Sequence, residues 1–228
     1  LAETLRPNDL SEFIGQRHLL DPDKPIGKAL ADSQLHSMIL WGPSGVGKTT
    51  LDRIMCTQMG AHFEQMSAVL DGIKELRNVI EHAQLYKHQD KNTILFVDEI
   101  HRFNKAQQDA FLPHIESGLI TLIGATTENP SFEINASLLS RSRVYILDKL
   151  SSEDLSTIAS KALKNQDILL DDDGSLALII DSSDGDARRL INIIEQLTET
   201  SNKTLNRDDI AKTLQEKVSS FDKGGDIY

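Results

Sequence analysis

The segment GPSGVGKT, residues 42–49, constrains the fold of this chain more than any other part of its sequence. It fits the pattern G-x-x-x-x-G-K-S/T, follows the apolar run SMILW (37–41) and precedes a helix-like segment. A phosphate-binding loop needs this strand–loop–helix context, because its glycines let backbone N–H groups turn toward phosphates at the start of a helix. We therefore predict a nucleotide site in which Lys48 reaches the β- and γ-phosphates and Thr49 holds Mg²⁺. The other predicted binding positions of this phosphate loop are Gly42, Pro43, Ser44, Gly45, Val46, Gly47 and Thr50.

Short apolar runs alternate with helix-like segments through the first two thirds of the chain. Several runs are apolar on successive residues, which is typical of strands that are buried on both faces of a parallel sheet. The sequence therefore predicts an α/β fold in which helices sandwich a parallel sheet. The predicted strands are 37–41, 62–67, 93–98, 121–126 and 144–147. Helices are predicted over 47–59, 71–87 and 105–117, and Pro113 should kink or end the last of them.

The pattern changes after Lys149, where only helical periodicity is visible. SSED, residues 151–154, forms a capping box in which Ser151 caps the helix and Asp154 lies three residues on. We predict an α/β domain over 1–150, a small all-helical lid domain over 151–217, and the start of a truncated C-terminal region over 218–228. The chain begins at Leu1 and stops at FDKGGDIY, so we expect both ends to be cuts in a longer protein.

Composition limits the classes of partner and compartment. No run approaches the 18 apolar residues of a membrane span. Cys56 is the only cysteine, which excludes an internal disulfide and favours a cytosolic location. A net charge of −11 argues against a nucleic-acid surface covering the whole molecule, although a local basic strip remains compatible with it.

Polar residues at the ends of two other predicted strands suggest the rest of the site. TILFVDEI, residues 93–100, ends a strand in Asp98, which can bind Mg²⁺ through water, and Glu99, which can orient or deprotonate a water. IGATTEN, residues 123–129, offers Thr127 to the attacking water or the γ-phosphate, although threonines are also common turn formers.

Two arginine-containing segments lie farther along the chain. LLSRSRVYIL (138–147) carries Arg141 and Arg143, which are either a solvated surface pair or the partners of an anion. An arginine of GDARRLIN (185–192) could fold over bound phosphates, or could pair with the acidic residues nearby.

These motifs, in this order and spacing, resemble the AAA+ ATPases of the clamp-loader clade. LRPNDLSEFIGQRHLL (5–20) is similar to the adenine-pocket segment of that clade. The block FVDEIHRFNKAQQDAFLPHIESGLITLIGATTENPSFEINASLLSRSRVYIL (96–147) is similar to the replication-associated recombination protein A family, whose eukaryotic members are the Werner-helicase-interacting ATPases.

The resemblance implies ATP and Mg²⁺ as ligands and a role for each matched position. Lys48 and Thr49 fall on Walker A, and Asp98 and Glu99 fall on Walker B. The implied catalytic residues are Glu99, Thr127 as sensor 1, Arg141 as arginine finger and Arg188 as sensor 2, and the implied adenine contacts are Arg6, Pro7, Ile14 and Gln16.

The resemblance also implies partners. Members of the family act at stalled or damaged replication forks, where they contact DNA ends or single-strand gaps and single-strand-binding protein, and for this chain we expect the bacterial cytosol. They form homo-oligomers through a C-terminal domain, of which FDKGGDIY resembles the first residues. Candidate DNA contacts, which are otherwise solvated helix faces, are Lys74, Arg77, His101, Arg102 and Lys105.

Three positions depart from the family pattern. Ser44 replaces a proline and Ser142 replaces a cysteine, and we expect both changes to be harmless. Asp52 stands one turn into the helix after the phosphate loop, where a small residue is usual. We expect it to add a negative charge near the phosphates, which could weaken nucleotide binding.

Two other functions compete with a DNA-dependent ATPase of replication forks. One is a non-hydrolysing, clamp-loader-like scaffold, against which intact Lys48, Asp98, Glu99 and Arg141 argue. The other is a Holliday-junction branch-migration motor, which shares GATT, but whose lid leads into a winged-helix domain rather than into FDKGGD.

Overall fold

The computed structural model describes residues 1–199 and 204–223. It divides into two compact units, one from Pro7 to Asp148 and one that combines Leu1–Arg6 with the chain from Lys149 onward. The first six residues therefore group with the second unit, whereas the sequence analysis had placed them with the first. The reason is that Leu1 and Leu5 pack against the core of the second unit, and the N-terminal ammonium pairs with Glu195 at 2.8 Å.

The first unit is built on a five-stranded parallel sheet, as predicted. Its strands are β1 (Met38–Trp41), β2 (His62–Ser67), β3 (Thr93–Asp98), β4 (Ile120–Thr126) and β5 (Arg143–Ile146). They lie in the order β2-β3-β4-β1-β5. The helices are α1 (Arg17–Leu20), α2 (Pro25–Ala31), α3 (Lys48–Met59), α4 (Ile73–Lys87), α5 (Lys105–Asp109), α6 (Leu112–Glu116), α7 (Pro130–Glu133) and α8 (Ala136–Leu139), with a 3₁₀ turn over Ile100–Arg102.

Side chains of the sheet pack into a separate apolar cluster on each face. Met38 and Leu40 of β1 belong to the cluster that contains Leu51 of α3. Ile39, which points the other way, belongs to the cluster that contains Leu76 of α4. Successive residues of one strand are therefore buried on opposite faces, which explains the continuous apolar runs in the sequence.

The parallel register brings the functional strand ends to one edge of the sheet. Trp41, the last residue of β1, pairs with Thr126, the last residue of β4. Val97, one residue before the end of β3, pairs with Gly124 of β4. The loops after β1, β3 and β4 consequently open at the same, carboxyl-terminal edge.

The predicted helix over 105–117 is interrupted at the expected place. It consists of α5 and α6, and Pro113 is the second residue of α6. Proline is tolerated in a first turn because its missing N–H would have no intrahelical partner there.

The second unit contains the helices α9 (Ser152–Asn165), α10 (Asp173–Ser183), α11 (Ala187–Leu197) and α12 (Arg207–Lys223). Ser151 and Asp154 cap α9 reciprocally, as predicted. The sequence analysis did not predict a short parallel pairing between β6 (Leu169–Leu170) and β7 (Thr204–Leu205). Two residues per strand are too few to produce a strand-like pattern in the sequence. The last predicted segment, 218–228, lies partly outside the described residues.

Among the described helices, none is both long enough and apolar enough to cross a membrane.

Candidate nucleotide-binding site

The phosphate loop joins β1 to α3 and depends on its glycines. A Cβ at Gly42 would lie 2.4 Å from the carbonyl oxygen of Leu147, and one at Gly47 would lie 2.8 Å from the ring of Phe13. Gly47 also has a φ of +98°, in the region that side chains disfavour. The loop can therefore keep this shape only with glycine at both positions.

Lys48 directs its ammonium into the loop. Its Nζ donates to the carbonyl oxygens of Gly42 and Pro43, each at 2.7 Å, and the residue is 9% exposed. The first turn of α3 carries no acidic residue, so its N–H groups and the lysine together favour an anion. Val46 is buried in the apolar core, which leaves only its backbone available to a nucleotide. These features fit the triphosphate of a nucleotide.

Two acidic residues stand at the carboxyl end of β3, at the edge of the sheet where the phosphate loop opens: Asp98 ends the strand and Glu99 follows it. Asp98 accepts a hydrogen bond from the backbone N–H of Glu99 at 3.1 Å. Glu99 has a φ of +54°, in the left-handed region, and begins the 3₁₀ turn. Throughout residues 1–199 and 204–223, no three His, Cys, Asp or Glu side chains converge to hold a metal. One carboxylate and the hydroxyl of Thr49 fit Mg²⁺, which keeps several waters and takes further oxygens from phosphates.

Polar contacts through His101 link Glu99 to the end of β4. His101 Nε2 lies 3.3 Å from Glu99 Oε2, and His101 Nδ1 lies 2.9 Å from Thr126 Oγ1. Thr126 is fully buried, whereas Thr127 is exposed. The sequence analysis missed Thr126 and counted His101 among the DNA contacts. That assignment of His101 is wrong, because its side chain is only 8% exposed and is engaged inside the site.

Arg141 meets an anion within its own unit. Its Nε and Nη2 both contact Oε1 of Glu116, at 2.6 and 2.5 Å, and its Nη1 donates to Ser137 O and Ser140 Oγ. Met38, the first residue of β1, pairs with Arg143, so Arg141 lies at the amino-terminal edge of the sheet, opposite the phosphate loop. A strand of this length spans roughly 10–13 Å. Arg143 is exposed on the edge strand.

Asp52 does not carry the negative charge that the sequence analysis expected. Burial raises the pKa of its carboxyl to about 8, although the neighbouring charge of Arg53 opposes this. The side chain is fully buried, and neither oxygen has a hydrogen-bond partner among the described residues. The carboxyl is therefore protonated at neutral pH, and the prediction of an added charge was wrong.

The N-terminal segment places its candidate adenine contacts in different settings. The Gln16 amide donates to the carbonyl of Asp148 at 2.8 Å and accepts from its N–H at 3.0 Å, so its polar atoms are already engaged. Pro7 and Ile14 are half-buried in the first unit, and Arg6, in the second unit, pairs with Glu3 at 2.7 Å. Of these four side chains, that of Gln16 therefore stabilises the fold, through its two hydrogen bonds to the backbone of Asp148.

Arg188 belongs to the second unit. It is exposed in the first turn of α11, a helix whose start is capped by Asp186, which accepts from the N–H of Arg189 at 2.9 Å. This cap stabilises the first turn of α11, in which Arg188 lies.

Comparison with known protein families gives two matches. Residues 5–139 match the family model of the Holliday junction DNA helicase RuvB P-loop domain. Residues 164–228 match that of an AAA C-terminal domain. The two models together leave residues 1–4 and 140–163 unmatched.

Curated relatives match the whole chain. The replication-associated recombination protein A of Coxiella burnetii is 49% identical and that of Escherichia coli K12 is 46% identical; each match covers 100% of this chain and 54% of the relative. The ATPase WRNIP1 of Dictyostelium discoideum is 39% identical across the chain, which spans 29% of that protein. The chain thus spans about half the length of the first two relatives.

A solved structure supports the fold. The RuvB Holliday junction branch migration motor of Thermotoga maritima superposes with a TM-score of 0.75 at 28% identity, covering 92% of this chain and 72% of that one.

Proposed function

This chain belongs to the family of AAA+ ATPases that includes replication-associated recombination protein A and the ATPase WRNIP1, and we propose that it is the ATP-hydrolysing core of a protein that maintains replication forks. The observation that carries the proposal is the placement of Lys48 and Glu99. Lys48 follows β1 and Glu99 follows β3, and both strands end at the same edge of the sheet. A phosphate-binding cation and a candidate base therefore serve one site.

Each residue of this edge has a chemical task in the proposed hydrolysis. Lys48 exchanges its bonds to Gly42 and Pro43 for β- and γ-phosphate oxygens. Glu99 accepts a proton from the attacking water. The oxygen of this water bonds to the γ-phosphorus, and the bond between the γ-phosphorus and the leaving β-phosphate oxygen breaks. Thr49 and Asp98 would hold Mg²⁺, which offsets the charge of the phosphates.

The remaining candidates act around this centre. Thr127, exposed after β4, orients the water or the γ-phosphate, and Arg188 contacts a phosphate. Pro7, Ile14 and Arg6 line the adenine side, to which Gln16 contributes its backbone. Arg141 lies at the opposite edge of the sheet and contacts the γ-phosphate of a neighbouring subunit, which requires head-to-tail packing.

Two substitutions test the assignment. Lys48→Ala should abolish ATP binding, because the phosphates lose their cation in the loop. Glu99→Gln should bind ATP with the affinity of the unmodified chain and hydrolyse it at least 100-fold more slowly, because the amide cannot accept a proton. Binding is measured with a fluorescent ATP analogue and hydrolysis by phosphate release in the full-length protein. A Glu99→Gln protein that hydrolyses ATP at the original rate would refute the role of Glu99.

DNA is the proposed macromolecular partner, at forks, ends or single-strand gaps in the bacterial cytosol. The relatives' names support this, and Lys74, Arg77, Arg102 and Lys105 are exposed and available to phosphates. We also propose single-strand-binding protein as a partner and homo-oligomers formed by the full-length protein. The test compares its ATPase rate with forked, gapped, single-stranded and blunt-ended DNA, with and without single-strand-binding protein. Equal rates with and without every DNA would contradict the proposal.

A branch-migration motor is the second candidate, favoured by the match of residues 5–139 to the RuvB P-loop domain. The identities favour the first candidate, since they reach 49% with replication-associated recombination protein A and 28% with the RuvB structure. Four-way junctions distinguish the two. Only a branch-migration motor should convert them to duplex products at the expense of ATP.

A further inference from the structure

We propose that His101 is a positioning residue. One nitrogen of its ring contacts the Glu99 carboxylate and orients it, and Thr126 holds the other nitrogen. The proposal rests on the proposed ATPase function, because Glu99 is its base. It assigns a task to a histidine whose sequence position suggested a DNA contact.

The surroundings leave the imidazole few alternatives. Its side chain is 8% exposed, and its two nitrogens face Glu99 Oε2 at 3.3 Å and Thr126 Oγ1 at 2.9 Å. Thr126 is itself fully buried and closes a small turn, because its Oγ1 accepts from the N–H of Glu128 at 3.0 Å and is within donating distance, 3.2 Å, of the carbonyl of Glu128. The ring is thus held between the ends of β3 and β4.

Counting hydrogens selects one tautomer of the neutral ring. If Nδ1 carried the hydrogen and donated to Thr126, the bare lone pair of Nε2 would face a carboxylate oxygen, which is repulsive. If Nε2 carries the hydrogen, it presents that hydrogen to the Glu99 carboxylate, and the Thr126 hydroxyl gives its one hydrogen to Nδ1 at 2.9 Å in place of the Glu128 carbonyl at 3.2 Å. Only the second arrangement keeps a bare lone pair away from Glu99, so the shorter contact of Thr126 sets the tautomer that His101 presents to Glu99.

This arrangement has a consequence for the proposed base. The backbone of Glu99 is already in a restricted left-handed conformation, and His101 restricts the remaining side-chain rotations. The 3.3 Å approach of Nε2 to Oε2 is longer than a usual N–H···O hydrogen bond, so the carboxylate can exchange it for a water. His101 therefore orients Glu99 without competing strongly for its proton-accepting oxygen.

Substitutions of His101 test the proposal in the full-length protein. Glutamine places an N–H donor near the position of Nε2, whereas asparagine reaches only the position of Nδ1. We expect His101→Gln to keep kcat within about 3-fold, and His101→Asn and His101→Ala to lower kcat by roughly 10- to 100-fold. The KM for ATP should change less than 2-fold in all three. A purely structural histidine would not distinguish glutamine from asparagine in this way, and His88→Gln, an exposed site on the same domain, is the matched control.

Thr126→Val, which keeps the shape of the side chain but removes the hydroxyl, tests the other end. The double variant with His101→Ala should lose little more kcat than either single variant, because both substitutions remove the same constraint on Glu99. Independent, additive losses would overturn the proposal.

A measurement without nucleotide provides a second readout. In the ¹⁵N spectrum of the histidine side chains, His101 should show a protonated Nε2 and an unprotonated Nδ1, and Thr126→Val should shift the ring toward the other tautomer. A protonated Nδ1 beside an unprotonated Nε2 in the unmodified protein would overturn the proposal whatever the ATPase rates. An unmodified protein that lacks ATPase activity would instead refute the proposed function. An active protein whose His101→Ala variant keeps its rate would refute the role of His101 alone.

Discussion

Asp52 is a carboxyl group on the apolar side of the helix that carries Lys48 and Thr49. It adjoins Cys56, one turn further along, and the pKa of the Cys56 thiol is raised to about 11 by burial and, above the pKa of Asp52, by the charge of that carboxylate. Both groups are therefore neutral at pH 7. An acidic residue in this helix is compatible with an anionic nucleotide because the fold keeps its proton on.

Asp52 should make the stability of the chain depend on pH. Between its usual pKa of 3.8 and its raised value of about 8, the folded chain holds a proton that the unfolded chain has lost. The free energy of unfolding therefore falls as the pH rises through this range and levels off above it. Asp52→Asn should remove this dependence. At pH 8.5 its free energy of unfolding, relative to that of the unmodified chain, should gain on the order of 5 kcal/mol at most.

Urea denaturation of both proteins between pH 5 and 8.5 measures this effect. Asp90→Asn, at an exposed turn, controls for the loss of one carboxylate. Parallel stability curves for the unmodified chain and Asp52→Asn would show that Asp52 is ionised in the folded state.

At the scale of elements, burial on both faces made the strands predictable. β2 and β3 have the predicted bounds, and β1, β4 and β5 begin within one residue of them. Side-chain connections between distant segments left no such signal. His101 and Thr126 stand 25 residues apart, and neither the period of the strands nor that of the helices relates them. The glycine-rich loop and the Asp98–Glu99 pair at the end of β3 are marked by local spacing in the sequence, whereas the Glu116–Arg141 pair, 25 residues apart, is not.

Gln108 connects α5 to the segment before α8 and should matter more than its polar character suggests. Its buried amide donates to the carbonyls of Phe103 and Glu133 and accepts from the N–H of Asn135. Gln108→Leu keeps the volume but leaves these backbone groups without partners, so we expect a loss of roughly 2–4 kcal/mol.

Gln107→Leu is the matched control on the same helix. Gln107 is half-exposed and accepts only from the N–H of Asn104 at 3.0 Å, so its loss should cost about 1 kcal/mol or less. Chemical denaturation compares the two variants. Equal losses would show that the three bonds of Gln108 do not stabilise the fold.

At the scale of the whole molecule, Arg141 lies at the edge of the sheet opposite the phosphate loop, so its proposed role as arginine finger requires a neighbouring subunit. Full-length Arg141→Ala and Lys48→Ala proteins should each be inactive. Mixtures of the two should recover partial ATPase activity, because some interfaces then pair an intact Arg141 with an intact Lys48. The measurement is phosphate release across mixing ratios. Mixtures that stay inactive although their subunits exchange would show that Arg141 does not act on a neighbour.

DNA binding should also depend on assembly. The chain carries 24 basic and 35 acidic residues, a net charge of −11, so a single copy offers DNA only a few exposed cations. We expect the isolated chain to bind DNA weakly, and the affinity of the full-length protein to rise on oligomerisation and fall steeply with salt. Fluorescence anisotropy with labelled single-stranded DNA measures both. Tight binding by the monomeric 228-residue chain would contradict this expectation.

The left-handed backbone of Glu99 has a consequence for anyone who sets out to make this protein more heat-resistant. A side chain in that region costs about 1–2 kcal/mol, which glycine avoids. Ranking substitutions by stability alone would therefore recommend glycine at the residue proposed as the base. A thermostabilised variant chosen that way would keep its fold and lose its chemistry, so position 99 has to be excluded from such a search in advance.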